Sequence, residues 1–565
     1  MQLVDTLVLR GVLGSTERSK AIAAIAAAEG VSPHLTLLDK GFVKEDGLMP
    51  VLADEFGMEF VDLTQMQVQK EATENIPLKL ITRRNLMPIA RSNGTLTVAT
   101  GDPYDAYAID ELQTLTGLHI EPVLGSPKEI ARLIKINFGV GGDTVAALAE
   151  ERKDDVEFLD EFQGDDSELA KQAQEASVVK LVNEILVEAA NERASDIHIE
   201  FQESGITIRN RIDGLLQTQR MPPEINRFAA AIVSRLKIMA RLNIAEKRLP
   251  QDGRIKMRVQ GREVDVRVSI IPMVHGEGIV MRLLDKSRMV FNLKNIGFLP
   301  DTDKTFRQLI DRPHGICIVT GPTGSGKSTT LYSALNEVKD ETLKIITVED
   351  PVEYQQDGIS QIQTHAKIGL TFASALRSIL RHDPDTILIG EMRDLETCEA
   401  AIQASLTGHM VFSTLHTNDA PSAFTRLIDM GVEPFLVAST VEGILAQRLV
   451  RTICPDCKAP QTPDDIPIDF PKQFPDWIGK PMISHGVGCR SCRNSGYRGR
   501  TGIHELLANN DVLRDLIVQR VNASVIRLEA LKNGMRTLRQ DGFLKTAKGQ
   551  TTIDEVNRTT AGDLS

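Results

Sequence analysis

The chain has 565 residues, 42% of them hydrophobic and 25% charged, with a net charge of −12. At about 100–200 residues per domain, that length suggests three to five folded units with ample material for cores. The acidic balance disfavours nonspecific nucleic-acid binding, which draws on Lys and Arg to neutralise phosphates, and no segment approaches the roughly 18–20 apolar residues of a membrane-crossing helix.

Residues 1–138 read as a mixed α/β region. It opens with two similar helical phrases, LVLRGVLGSTERSKAIAAIAAAEG and LLDKGFVKEDGLMPVLADEFG. Each places a glycine, Gly11 or Gly41, before a helix that stops at Gly30 or Gly57, which suggests a small duplication. LMPIAR and LTVAT follow as strands around a turn at Ser92–Gly94. The opening residues lack a basic start leading into an apolar run and a cleavage site, so the expectation is a cytosolic protein. Residues 139–175 are dense in Asp and Glu and poor in large apolar residues, the composition of a flexible linker.

From Val178 a helical period returns. DIHIEF, GITIRNRIDG, IKMRVQ, REVDVRVSIIP and GIVMRLL then read as strands, interrupted by a helix at Arg227–Leu242. Residues 176–297 are thus expected to form an α+β domain. From Phe298 the pattern becomes strand, Gly-rich loop, helix, strand, the signature of a parallel sheet with crossover helices. After Asp511 the chain reads as mainly helical.

The strand ICIVT runs into Gly321-Pro322-Thr323-Gly324-Ser325-Gly326-Lys327-Ser328, with Thr329 continuing into a helix. Glycines let the backbone wrap close to phosphate oxygens, and the amides of the helix N-terminus face the anion. Lys327 can reach the β- and γ-phosphates, and the Ser328 hydroxyl can ligate Mg²⁺. Two further strands end in carboxylates, Glu349, Asp350 and Glu353 after KIITV and Glu391 after DTILIG. In a parallel sheet such strand ends open onto one crevice, where acidic groups can hold Mg²⁺ and orient a water for attack on the γ-phosphate.

CPDC (Cys454, Cys457) and CRSC (Cys489, Cys492) are two knuckles separated by 31 residues. Each two-residue gap lets a pair of thiolates face one ion, and four sulfurs close a tetrahedron in the pattern of structural zinc. Cys317 and Cys398 read as small packed hydrophobes.

SDIHIE, RLPQDGR, DVRVS, GPTGSGKSTTLY, ITVEDPVEY, LRSILRHDPDTILIGEMRD and GHMVFSTLHTNDA form a long ordered set of motifs. With them the chain resembles the GspE/PilB family, the ATPases of type II secretion and type IV pilus assembly. The resemblance implies a RecA-like P-loop core at 298–450, a PAS-like α+β domain at 176–297 and an amino-terminal docking domain. It also implies a zinc module at 451–502 inserted late in the motor, and a helical subdomain at 503–565. It gives Glu353 the role of catalytic glutamate, Glu391 the Walker B role, and His409 and His416 the sensing of the γ-phosphate. Arg254 and Arg267 are placed by it against the nucleotide, with Arg377 and Arg381, four apart on a helix, as weaker candidates.

The partners that the resemblance implies are further copies of the chain in a hexameric ring, and inner-membrane platform and cytoplasmic-adaptor proteins. The implied place is the cytoplasm, peripheral to the inner membrane. Some relatives bind cyclic-di-GMP through Arg-Leu-Gly segments. Here those positions hold Leu9-Arg10-Gly11 and Asp39-Lys40-Gly41, with Glu29 and Glu55 near the helix ends, which disfavours that ligand. The implied function is an ATP-hydrolysing motor that assembles pilin or pseudopilin fibres. The rivals are a conjugation or DNA-uptake type translocase on the same core, which the net charge opposes, and a non-hydrolysing scaffold, which Lys327, Glu353 and Glu391 oppose.

Overall fold

Apolar residues at helical spacing and two glycine turns shape the start of the chain. Helices Gln2–Leu9 and Pro33–Asp39 each run into a left-handed glycine, Gly11 at φ 73° and Gly41 at φ 71°. Matching amides close both turns: Val12 donates to the Leu7 carbonyl at 2.9 Å and Phe42 to the Leu37 carbonyl at 3.0 Å. The duplication inferred from the sequence is therefore a repeated helix stop, each followed by a second helix, Arg18–Ala27 and Glu45–Phe56. Left-handed Gly57 ends the latter, whereas Glu29 and Gly30 lie outside the described residues.

The computed structural model describes residues 2–28, 32–64, 66, 68–73, 76, 78–92, 94–138, 156–158, 176–221, 223–285, 291–462 and 466–561. The chain divides into two compact units, Met1–Ser287 and Arg288–Ser565.

In the first unit, β1 (Leu86–Ser92) pairs antiparallel with β2 (Thr95–Thr100), which pairs parallel with β3 (His119–Leu124). A second sheet has the order β4-β8-β9-β10-β5-β6-β7. Its strands are β4 (Val156–Phe158), β5 (Asp196–Gln202), β6 (Gly205–Ile212), β7 (Leu215–Thr218), β8 (Gln251–Val259), β9 (Arg262–Met273) and β10 (Gly276–Asp285). β4 belongs to the stretch expected to be linker throughout, and it pairs with β8 as an edge strand. Helices Ala176–Asn191 and Ala229–Met239 cover one face of this sheet, packing Leu181, Leu186, Ile232 and Leu236 against Ile197, Ile199, Val266 and Val268. β9 accordingly alternates between buried and half-exposed residues, the pattern of a sheet with one face on a core.

The second unit carries a sheet of order β13-β12-β14-β15-β11-β16-β19. Its strands are β11 (Gly315–Thr320), β12 (Ile345–Glu349), β13 (Ser360–Gln363), β14 (Thr386–Ile389), β15 (Met410–Leu415), β16 (Val441–Ile453) and β19 (Tyr497–Ala508), parallel except for antiparallel β19. β11, β12, β14 and β15 are buried at every residue, as strands covered on both faces must be. One core holds Ile316, Ile318, Ile387 and Ile389, and the other holds Cys317, Val319, Leu388 and Phe412. Burial pushes the Cys317 and Cys398 thiols up to about 12, so both pack as inert hydrophobes. A two-stranded sheet, β17 (Lys458–Pro460) and β18 (Ser484–Gly486), lies between β16 and β19 in sequence.

Candidate active site and metal centre

β11 emerges between β15 and β16, and helix Lys327–Val338 begins directly after the glycine loop. Gly321 and Gly326 sit at φ 146° and 91°. A Cβ on Gly321 would stand 2.4 Å from the Gln447 carbonyl oxygen, and one on Gly326 would stand 2.7 Å from Gln447 Nε2. The loop therefore rests directly on β16, which only glycine permits. Gln447, buried on β16, donates to the Ser325 carbonyl at 2.9 Å and accepts from the Thr330 hydroxyl at 2.6 Å. That amide fixes the height of the loop above the sheet.

Lys327 Nζ donates to the loop's own carbonyls, Gly321 at 2.9 Å and Pro322 at 3.2 Å. Burial pulls its pKa down, and the charge of Glu391 works against that fall. Glu391, just past the end of β14, is paired to Arg393 at 2.5 Å and lies 3.5 Å from His416 Nε2. Burial and the Lys327 charge lower the His416 pKa, while Glu391 opposes them. Lys327, Glu391 and His416 are thus gathered at the carboxyl ends of β11, β14 and β15. The Thr320 hydroxyl joins the end of β11 to the segment after His416, 2.8 Å from the Thr417 hydroxyl and accepting from the Thr417 amide at 2.9 Å.

The carboxylates after β12 are sorted by direction. Glu349 turns inward, accepting from Thr347 at 2.6 Å, from Gln361 at 3.1 Å and from the Tyr332 hydroxyl. Asp350 is exposed and Glu353 half-buried. Backbone amides of Tyr354 and Glu353 bond to the Tyr332 phenol, so the helix that starts at the phosphate loop also registers the Glu353 turn. Burial, with Glu349 beside it, raises the Tyr332 pKa.

His409 is separated from His416 by the full length of β15, about 23 Å at roughly 3.3 Å per residue. Its Nδ1 lies 2.8 Å from the Ala404 carbonyl and 3.1 Å from the Thr407 hydroxyl. Within one chain it stands away from the phosphate loop. Arg377 pairs with Glu396 at 2.6 Å, and Arg381 donates to the Arg377 carbonyl at 2.7 Å. Arg254 and Arg267 face each other across β8 and β9 of the first unit. Ser328 is exposed at the start of its helix. Gln447, Tyr332 and Thr320 were not anticipated from the sequence. Their partners lie 117, 17 and 97 residues away, and only the Tyr within GPTGSGKSTTLY carried a local signal.

The four knuckle cysteines place all their sulfurs within 4.8 Å of one another. Cys454–Cys489, Cys457–Cys492 and Cys489–Cys492 are each 3.7 Å apart. A tetrahedron with Zn–S bonds of about 2.3 Å has edges of about 3.8 Å, so the donor set fits zinc in size and chemistry. Burial raises the Cys492 thiol, but the amides of Cys489 and Gly496 outweigh it and hold the group at about 7.

A glycine cradle, a lysine and a strand-end glutamate at the carboxyl edge of a parallel sheet define a P-loop nucleotide-hydrolase core. A family model described as type II/IV secretion system protein matches residues 171–558, and one described as MshEN domain matches residues 56–142. The chain is 42% identical over 559 residues to the type IV pilus assembly ATPase PilB of Myxococcus xanthus, covering 99% of this chain and 98% of that relative. It is 44% identical over 569 residues to the type II secretion system protein E of Xanthomonas campestris, again covering 99% and 98%. The ATPase DotB of Legionella pneumophila shares the fold at a TM-score of 0.51 and 24% identity, covering 68% of this chain and 96% of that one. The chain belongs to the type II/IV secretion system protein family, and its core is that of an ATP hydrolase. Among the described residues no helix is long and apolar enough to cross a membrane.

Proposed function

We propose that this chain is the ATP-driven motor of a type II secretion or type IV pilus machine, hydrolysing ATP to assemble pseudopilin or pilin fibres. Similar identity to a PilB and to a secretion protein E, 42% and 44%, supports the motor step that the two machines share. The observation that carries the reading is the convergence of Lys327, Glu391 and His416 beside a loop in which Gly321 and Gly326 leave no room for side chains.

In this reading Gly321–Thr329 cradle the triphosphate, and Lys327 exchanges its loop carbonyls for the β- and γ-phosphates. Glu353 accepts a proton from the attacking water, and Glu391 orients the site and is released from Arg393 as it does so. Ser328 and Glu391 would hold a magnesium ion, which would supply positive charge to the phosphates. Arg254 and Arg267 supply further positive charge, and His416 reports whether a γ-phosphate is present. His409 braces the start of β15. Cys454, Cys457, Cys489 and Cys492 would hold a zinc ion, which would tie the two knuckles together. Residues 1–138 dock the motor to platform and adaptor proteins at the cytoplasmic face of the inner membrane, and six copies form the working ring. Cyclic-di-GMP has no part in this reading: Arg10, the one arginine in the two glycine turns, is paired to Asp54 at 2.5 Å.

Glu391→Gln keeps the shape of the site and removes its charge. Nucleotide binding is expected to persist while phosphate release falls by about a hundredfold or more, the scale of losing one charge-stabilising group in a transition state. Unaltered turnover would remove Glu391 from the chemistry.

A further inference from the structure

The last strand of the second unit's sheet is β19, and the backbone groups on its outer edge need partners of their own. Asn509, just past its end, donates to the Glu442 carbonyl at 2.9 Å, so the odd-numbered positions bond toward β16. The even-numbered ones then face outward. At the near end they are satisfied. The Gly502 amide reaches the Ile296 carbonyl at 3.1 Å, the His504 amide reaches the Asp541 carboxylate at 3.1 Å, and the Gly502 carbonyl accepts from Lys545. Farther along, the Leu506 carbonyl and the Ala508 amide and carbonyl have no partner among the described residues.

A cavity of about 270 Å³ lies along this stretch. Thr302 and Thr305 of helix Pro300–Ile310 bound it on one side of the sheet, and Leu513 and Ala530 bound it on the other. Arg536 ties the walls together, pairing with Asp301 and donating to the Thr302 hydroxyl at 3.0 Å. His504 and Asn509 also line the space, and both are buried with polar atoms that find no partner. These are the two ring nitrogens of His504 and Oδ1 of Asn509. Burial and the Lys545 charge hold the His504 pKa well below the usual histidine range, so its neutral ring keeps one donor and one acceptor. A packed core leaves neither a void of this size nor so many unmatched polar groups together.

The open row reads acceptor, donor, acceptor: the Leu506 carbonyl, the Ala508 amide and the Ala508 carbonyl. A matching ligand must offer a donor, an acceptor and a second, weaker donor. Adenine does so along one edge, with its amino group beside a ring nitrogen and a ring C–H beyond it. A flat ring in the plane of the sheet also suits a gap between two layers of helices. The volume lies just under the usual span of small-ligand pockets, which favours a single base over a peptide.

We propose that the cavity beside β19 binds an adenine-type base, held edge-on by Leu506 and Ala508, as a site separate from the phosphate loop. It runs along Gly443–Leu445 of β16, whereas the loop rests on Gln447. The inference does not depend on the motor reading, because neither Lys327 nor Glu391 takes part in it.

The test is a calorimetric titration of the full-length protein, saturated with ADP, with 9-methyladenine, which carries no phosphate. A dissociation constant below about 1 mM is expected, a modest efficiency for a ligand of this size. 9-Methylpurine, identical but for the amino group, should bind at least about tenfold more weakly, since it leaves the Leu506 carbonyl unpaired. Ala508→Pro removes the amide donor at an edge position where proline is accepted, and it should weaken 9-methyladenine about tenfold. Thr305→Phe fills the cavity and should abolish binding. Both variants are expected to keep wild-type affinity for ADP and to melt within a few degrees of wild type. Should either variant fail to fold, the comparison of the two heterocycles on the wild-type protein still decides. Absence of 9-methyladenine binding, equal affinity for the two heterocycles, or binding that survives both folded variants would each overturn the inference.

Discussion

The phosphate-loop crevice and the cysteine cluster are built on opposite plans. The four sulfurs come from two short knuckles and already lie at the spacing a metal requires. The crevice draws on the ends of β11, β14 and β15, and its polar groups are occupied by one another: Lys327 by its own loop, Glu391 by Arg393. A closed structural site can be preset because nothing has to leave it. A catalytic crevice must hold charged groups in place while keeping them exchangeable for substrate. Its resting contacts are consequently the ones that substrate replaces.

The sharpest way to break this comparison is to remove one sulfur. Cys454→Ser should weaken zinc retention by about a hundredfold or more, since even outer-shell losses reach that scale. It should also open the segment between the knuckles to protease. Nucleotide binding should survive, because no sulfur touches the loop. Metal analysis, limited proteolysis and a nucleotide titration on one sample decide it. Simultaneous loss of zinc and of nucleotide affinity would show the two sites to be one cooperative structure.

A milder cut goes through the crevice's support. Gln447→Ala deletes an amide that bonds Ser325 and Thr330 in a buried setting, leaving both partners unsatisfied at about 1–3 kcal/mol. The loop should loosen, kcat/KM should fall about tenfold, and the melting temperature should drop by a few degrees. Gln447→Glu should do worse, because a carboxylate cannot donate to the Ser325 carbonyl.

How much of this was legible in the sequence follows from the same contrast. The glycine loop and the knuckles are local, so spacing alone pointed to phosphate binding and to metal binding. The four strand-end carboxylates, Glu349, Asp350, Glu353 and Glu391, end or follow β12 and β14 as the strand pattern suggested, but their directions were hidden. β12 is buried on both faces and therefore has no alternation to show that Glu349 points inward. Gln447 sits in an apolar run, GILAQRLV, with nothing beside it to mark its task. That Arg254 and Arg267 face each other depends on the register of β8 and β9, and pairing register is a tertiary fact. β4 was obscured for a different reason: three residues of an acidic stretch are too few to show strand periodicity.

The two histidines give the smallest and most discriminating effect. The resemblance treats them as one box, yet β15 holds them at opposite ends. His416 has its pKa lowered by burial and by the Lys327 charge, so its neutral form persists below the ordinary histidine range. Protonation on further acidification would set its imidazolium against Lys327. Wild-type turnover should therefore show an acid limb on the low side of the usual histidine pKa, and His416→Gln should abolish that limb while lowering kcat several-fold. His409 only braces the turn after helix Leu395–Leu406. His409→Gln should cost less than about twofold in a monomeric preparation, as for a substitution that creates neither a cavity nor a buried unpaired charge, and leave the acid limb intact. An equal loss in the two variants would mean that β15 transmits the state of one end to the other, and that the strand, rather than either imidazole, is the sensing element.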